Sequence, residues 1–234
     1  MYKRLVHFLI FSISLMTLCG FSPSNIVSKK IDLAAIVTKV IQDVKHKYKD
    51  TDWMKTKANT TLESKDFIKT GERSVAVLKF LDNSTLRIRE NTIIQVFADK
   101  RERGLIKNTK IDVGKMRFDV EKQREEDEFI ITTPTAVATI RGTSGLVEVL
   151  EDGSTFLYVD EGSVNVRSLL GARESGTVNA GFSSSISTDG RFNISTATST
   201  QSNEFKNALR TNEKFLRIQT TQGTFRIYYL DFEE

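Results

Sequence analysis

The run Ile131-Thr-Thr-Pro-Thr-Ala-Val-Ala-Thr-Ile-Arg-Gly-Thr-Ser-Gly-Leu-Val-Glu-Val149 alternates apolar and polar residues with the period of a half-buried strand. Two residues break the alternation. Pro134, the only proline outside the first 24 residues, cannot donate to a ladder and so marks a strand edge or a corner. Gly142, inside the only Arg-Gly-Thr of the chain, allows a bulge or a close backbone approach, leaving Arg141 to pair with a local carboxylate or to contact a ligand. Short strands joined by corners are therefore the expected unit of this fold.

The flanking sequence repeats the theme. Ser74–Leu81 and Thr85–Arg89 alternate on either side of Asp82-Asn83-Ser84, and an Asp-Asn pair suits a tight hairpin because Asn tolerates positive φ. Val147–Val159 echoes it, with Asp152-Gly153-Ser154 at the turn, and Ser184–Ile194 is a weaker third copy around Asp189. Repeated strand-turn-strand units suggest stacked hairpins, in an irregular β-solenoid or sandwich-like body. Thr92–Ala98, Lys110–Val113, Lys115–Val120 and Phe129–Thr133 read as further strands, with charged loops at Asp99–Asn108 and Glu121–Glu128. Fifteen Phe and only two Pro among 234 residues agree with a mainly β fold.

The ends differ in character. Residues 31–50 are ambiguous: Leu33, Ile36, Val37, Val40, Ile41 and Val44 fit one helical face, whereas Ile36, Val40 and Val44 also fit one face of a strand. Residues 195–203 form a Ser/Thr-rich linker. Glu204–Arg210 suits a short helix, and Phe215–Phe232 a terminal hairpin turning near Gln222-Gly223.

Met1-Tyr2-Lys3-Arg4 followed by the apolar Phe8–Leu18 has the form of a secretory leader over residues 1–24, with Ser22 and Ser24 placed for cleavage before Asn25. The rivals are a lipoprotein signal ending before Cys19, which would carry the lipid, and an uncleaved anchor. Either way the chain is expected to be extracytoplasmic: periplasmic, at the cell surface or secreted. Residues 25–35 would then lead into the body. Cys19 is the only cysteine, so the mature chain has no internal disulfide, cysteine-based zinc site or thiol nucleophile. Removing Lys3 and Arg4 from the 34 basic residues leaves 32 against 30 acidic ones, an interspersed net of +2. No basic stripe follows from that, and nucleic acid is disfavoured.

Leu62–Ile88, with Asp66-Phe-Ile-Lys-Thr-Gly71 and Ser74-Val-Ala-Val-Leu-Lys-Phe-Leu-Asp82-Asn-Ser, resembles the opening of FecR domains. Gly114–Val120, Ile130–Ala138, Ile140-Arg-Gly-Thr143, Asp152-Gly-Ser154 and Glu161-Gly-Ser-Val-Asn-Val166 follow in that family's order. The resemblance covers about Ile36 to Ile194. It implies an extracytoplasmic β-domain without catalysis, and it tips the second half of the ambiguous 31–50 segment toward strand. It also implies a regulator of a sigma-factor system, although the cytoplasmic segment those sensors carry is missing from the pattern. Lys65 and Asn83 stand where the family has glycine, which touches turn geometry only.

Chemistry-bearing residues are few. His46, between two lysines, reads as a solvated surface residue, and as the only histidine after the leader it excludes a multi-histidine metal site. The acidic run Glu125–Glu128 lacks the spacing of a calcium loop and reads as solvated. Asp82, Asn83, Gly142, Asp152 and Gly153 are expected to serve turns, and Arg141 is the one candidate ligand contact. No cofactor is expected. The function expected is a non-enzymatic binding, scaffold or regulatory role in the cell envelope, with an unidentified envelope protein or polymer as partner and membrane attachment only through a lipid or the leader. The enzymatic rival is a polysaccharide-active solenoid using Asp112, Asp119 and Glu148 on one face.

Overall fold

The computed structural model describes residues 33–208 with their side chains, and the backbone of 209, 213–220 and 223–230. The leader, Cys19 and the cleavage site lie outside the described residues. Eight strands precede a long central one: β1 (Leu33–Ile41), β2 (Val44–Lys47), β3 (Met54–Lys55), β4 (Thr61–Glu63), β5 (Phe67–Thr70), β6 (Val75–Lys79), β7 (Thr85–Ile88) and β8 (Ile93–Lys100). The central strand is β9 (Leu105–Val120). Eight more follow: β10 (Glu128–Thr132), β11 (Ala136–Ile140), β12 (Thr143–Val149), β13 (Thr155–Glu161), β14 (Ser163–Ser168), β15 (Ser175–Asn179), β16 (Phe182–Ile186) and β17 (Phe192–Thr196). A helix, α1 (Ser199–Leu209), and a hairpin of β18 (Glu213–Thr220) and β19 (Gly223–Leu230) complete the chain. The fold is mainly β, with one short C-terminal helix and a hairpin, as the composition implied.

Pairing divides these strands into two layers that share β9. Sheet I runs β4-β1-β6-β7-β9-β12-β13-β16-β17. Sheet II runs β3-β2-β5-β8-β9-β10-β11-β14-β15. The N-terminal half of β9 belongs to sheet II and the C-terminal half to sheet I, with the change at Gly114 (φ +106°). A Cβ there would lie 2.3 Å from Thr92 Oγ1, so only glycine lets β9 bend against that side chain.

Alternation then builds one core. The inward faces of sheet I (Leu78, Leu86, Ile88, Met116, Phe118, Val147) and sheet II (Ile68, Ile94, Val96, Ile111, Phe129, Ile131) form a single buried cluster. The rings of Phe80 and Phe129 meet edge to face at 5.1 Å across the layers. Each such apolar side chain contributes about 1.5–3 kcal/mol on leaving water.

Three segments differ from the sequence reading. Residues 33–47 are two strands, in the second half as the resemblance implied and in the first half too: Val37 and Val44 are fully buried, a bulge interrupts β1 after Val37, and Gln42 turns the chain with φ 60°. Helical spacing fitted only because strand faces shift at the bulge and the turn. The charged stretch Asp99–Asn108 is mostly strand, β8 and β9 pairing from Ile93↔Val113 to Lys100↔Leu105, because charged residues are tolerated on the outward side. The helix begins at Ser199, inside the expected linker. Thr198 and Gln201 form a capping box: Gln201 N–H donates to Thr198 Oγ1 (3.2 Å) and Thr198 N–H donates to Gln201 Oε1 (2.8 Å).

Candidate functional site

The three Asp turns share one geometry. Phe80, Leu150 and Ser187 carbonyls accept from Asn83, Gly153 and Gly190, each with positive φ, and the same three residues donate across the loop to Ser84, Ser154 and Arg191 carbonyls. This is the three-residue hairpin with a bulge at its αL position. Asp82 and Asp152 each accept from the backbone N–H and hydroxyl of the serine two residues on. In sheet I the first two hairpins pair with β9 from either side.

Their surroundings separate them. Lys107 points inward from β9 in sheet II, is 2% exposed, and places its ammonium 2.8 Å from Asp82 Oδ2. Gln123 Nε2 donates to the same oxygen at 2.9 Å. Burial pushes the Asp82 carboxyl up, but the hydrogen bonds from Lys107, Gln123 and Ser84 and the lysine charge outweigh it and hold the group below its ordinary range. Asp82 is thus the anchor of an ion pair between the layers. Asp152 has no cation beside it among the described residues; Gly153 sits against Pro134 instead.

Pro134 lies in the turn between β10 and β11, a corner of sheet II. Around it the hydroxyls of Thr133, Thr135 and Thr155 form a buried chain with 2.7 Å links. Gly142 (φ +81°) is where the chain crosses from β11 in sheet II to β12 in sheet I, packed against Lys122. Thr143 Oγ1 donates to Ser163 O (2.8 Å), and exposed Arg141 donates to the Glu125 carbonyl (3.0 Å). The Arg-Gly-Thr motif therefore makes a crossing and pins a loop. Its arginine bonds a backbone carbonyl rather than a carboxylate.

His46 is not solvated. It is 6% exposed, because alternation along β2 turns it inward between Lys45 and Lys47, and its Nδ1 lies 3.0 Å from Thr56 Oγ1. Burial pushes its pKa below the ordinary histidine value. Asp127 also departs from the solvated reading of its loop: buried, it takes Arg124 Nε at 2.8 Å and the Leu105 N–H at 2.8 Å. Asp66, 1% exposed, accepts from Glu63 N–H at 2.7 Å, and burial raises its pKa. Among the described residues no cluster of metal-ligating side chains forms.

The carboxylates of the enzymatic rival are not gathered. Asp112 lies on the sheet II half of β9 and pairs with Lys110 (2.9 Å). Asp119 and Glu148 lie on the outer face of sheet I, separated along the strands by about 13 Å from their register. Asp119 is held by Arg117 (2.6 Å), while Glu148 shares Lys115 with Glu204 (3.2 and 3.3 Å).

The two outer faces of the sandwich are unlike. Over sheet I lies α1, whose Phe205 and Ala208 bury against Leu146 and Tyr158. Arg117, 5% exposed, is clamped beneath it: the guanidinium lies 3.7 Å from the Phe205 ring centroid and donates to the Phe205 carbonyl (3.1 Å). The open cleft beside it, about 350 Å³, is lined by Arg89, Lys115, Glu148 and Glu204, so its charges are matched internally.

Over the described part of sheet II no helix packs. Its outward side chains form cross-strand rows. One row is Lys55–Lys45–Lys69–Ile93, and the next is Lys47–Phe67–Gln95–Lys110. Trp53, 37% exposed, joins the second row, meeting Phe67 edge to face at 6.5 Å. The Lys47 ammonium lies 4.6 Å from the Phe67 centroid and 5.3 Å from that of Trp53, with Lys69 6.0 Å from Trp53. Further along, Thr132 Oγ1 donates to Asn108 Oδ1 (3.1 Å) and Thr177 Oγ1 to Asn165 Oδ1 (2.8 Å). This aromatic and cationic platform escaped sequence reading because Trp53 sits in a loop and the lysines are interspersed; only strand register aligns them.

Comparison with known proteins bears on the frame that holds these faces. Two crystal structures of a "putative anti-sigma factor" from Parabacteroides distasonis share the fold, each with TM-score 0.50 and 15% identity over 65% of this chain and 67% of theirs. No curated protein matches the sequence. The family model described as FecR protein matches residues 66–165, which run from the buried Asp66 through both β9-flanking hairpins to β14. Over residues 66–165, then, this chain is similar to the FecR protein family.

Proposed function

We propose that this chain is a non-catalytic regulatory and recognition module of the cell envelope, exported by its N-terminal leader, whose sheet II face, free of any packed helix among the described residues, binds a protein or envelope polymer. The observation that carries the reading is the asymmetry of the faces. The chain's own helix packs on sheet I over Leu146 and Tyr158, whereas no helix of the described residues packs on sheet II, which presents Trp53, Phe67 and lysines to solvent. The match of residues 66–165 to the FecR family supports a regulatory role rather than a catalytic one. Among the described residues no helix is long and apolar enough to cross a membrane.

The test is affinity capture from solubilised envelope fractions with the mature chain and with a Trp53→Ala/Lys69→Gln variant. A protein or polymer retained by the first and lost by the second is expected. Recovery of nothing, or equal recovery by both, overturns the assignment to this face. Mass spectrometry of the mature N-terminus reports export directly, as a chain starting near Asn25 or a lipidated Cys19.

A sigma-factor connection is the second reading, favoured by the likeness in fold to the anti-sigma factor structures. A sigma-factor gene beside this one, with co-purification of its product, would support it, and absence of both removes it.

A further inference from the structure

We propose that the Lys55–Lys45–Lys69 row, with the Trp53 and Phe67 rings beside it, binds an acidic polysaccharide. The proposal rests on the reading that the sheet II face takes a partner, and names the chemistry of that partner.

The row itself is costly to the sheet. Lys45 stands directly opposite Lys55 on one side and Lys69 on the other, and like charges facing each other across strands destabilise a sheet. Only Lys45 has a carboxylate near it among the described residues, Asp43 at 3.4 Å. Asp50 and Asp52, in the loop leading to β3, reach none of these lysines. A face that served solubility alone would gain by alternating signs. Three ammonium groups in register, partly unmatched, are complementary to an anion.

Spacing indicates an extended anion. Adjacent strands lie about 4.8 Å apart, so the lysine stems recur at one per strand over roughly 10 Å. That regular array suits a polymer bearing an acidic group on successive units better than a single phosphate, which would need convergent donors in a concave site.

The rings select the polymer. Trp53 is 37% exposed, with Phe67 edge to face beside it and the Lys47 ammonium over its ring. An exposed aromatic plane braced by a neighbouring ring and ammonium suits stacking on the apolar face of a sugar ring. The hydroxyl and amide groups of Thr132 and Asn108 continue the same face with partners for sugar hydroxyls.

The experiment titrates the purified full-length mature chain with polygalacturonate, with neutral dextran, with poly-glutamate and with anionic phosphatidylglycerol vesicles. Expected are binding to polygalacturonate, none to dextran, and a loss of about tenfold or more in affinity for both Lys45→Gln/Lys69→Gln and Trp53→Ala. A Lys79→Gln/Lys206→Gln variant removes the same charge from the opposite side and should bind as the parent does. Equal binding to poly-glutamate or to the vesicles overturns the proposal, as does polygalacturonate binding that ignores Trp53. If polygalacturonate fails while envelope capture still depends on Trp53 and Lys69, the polysaccharide falls and the face assignment stands; if both fail, both fall.

Discussion

Replacing Asp82 by Asn should be far more damaging than the same change at Asp152, although the two turns are superimposable in their hydrogen bonds. Asn keeps the shape of the turn and can still accept from the serine N–H, so each substitution removes little local bonding, worth about 1 kcal/mol. At Asp82 it also strands Lys107, an ammonium 2% exposed with its carboxylate 2.8 Å away. Removing one partner of a buried pair costs about 3–5 kcal/mol, and the lower end applies because a fifth of the Asp82 side chain still meets water. A cost of about 3 kcal/mol corresponds to a fall in Tm of roughly 6–12 °C in a chain of this size. Trp53, the single tryptophan, reports urea unfolding by fluorescence. Adding Lys107→Met to Asp82→Asn should recover most of the loss, since an apolar replacement needs no counter-charge. The pH dependence has a defined sign: Asp82 is held below its ordinary value, so its contribution is complete above about pH 4 and disappears as pH falls through the lower folded value. Equal losses at Asp82 and Asp152, or a double variant no better than the single one, would refute the reasoning.

Burial lowers the pKa of His46, so the unfolded chain takes up its proton first and stability should decline as pH falls below about 6.5, a decline absent in His46→Gln. Gly145→Ala should destabilise by about 1–3 kcal/mol, measured by urea unfolding, because its Cβ would meet Tyr158 O at 2.3 Å and the Phe118 ring at 2.4 Å. Thr198→Ala breaks the capping box and should cost about 1 kcal/mol, with faster hydrogen exchange in α1 and at the clamped Arg117.

Local chemistry in the sequence foretold the hairpins. Asp-Asn-Ser and Asp-Gly-Ser carry their turn conformation in three residues, and the echo between them survives as matching geometry. Pro134 and Gly142 announced a corner and a crossing for equally local reasons. What needed the third dimension was register. The alternation in Lys45-His46-Lys47 was visible, but the flanking charges suggested solvent for His46, whereas period-2 geometry buries it. Lys107 lies in a charged stretch, and nothing nearby signals that it reaches Asp82 in the other layer. The capping box at Thr198 and Gln201 was legible and was obscured by the Ser/Thr-rich surroundings. The lysine row depends on three strands coming from separate parts of the chain.

A consequence follows from β9 belonging to both layers. Strands on either side of it in sequence have their central ladder only through this one segment: β7 and β8 from the first half of the chain, β10 and β12 from the second. Neither half can therefore be excised as a minimal stable fragment, because each would lose the spine that its own hairpins lean on. A chain severed between 101 and 104 and supplied as two pieces should reassemble, the later piece carrying β9 as a template onto which the earlier strands dock. The partition of the molecule is into complementary pieces rather than into subdomains.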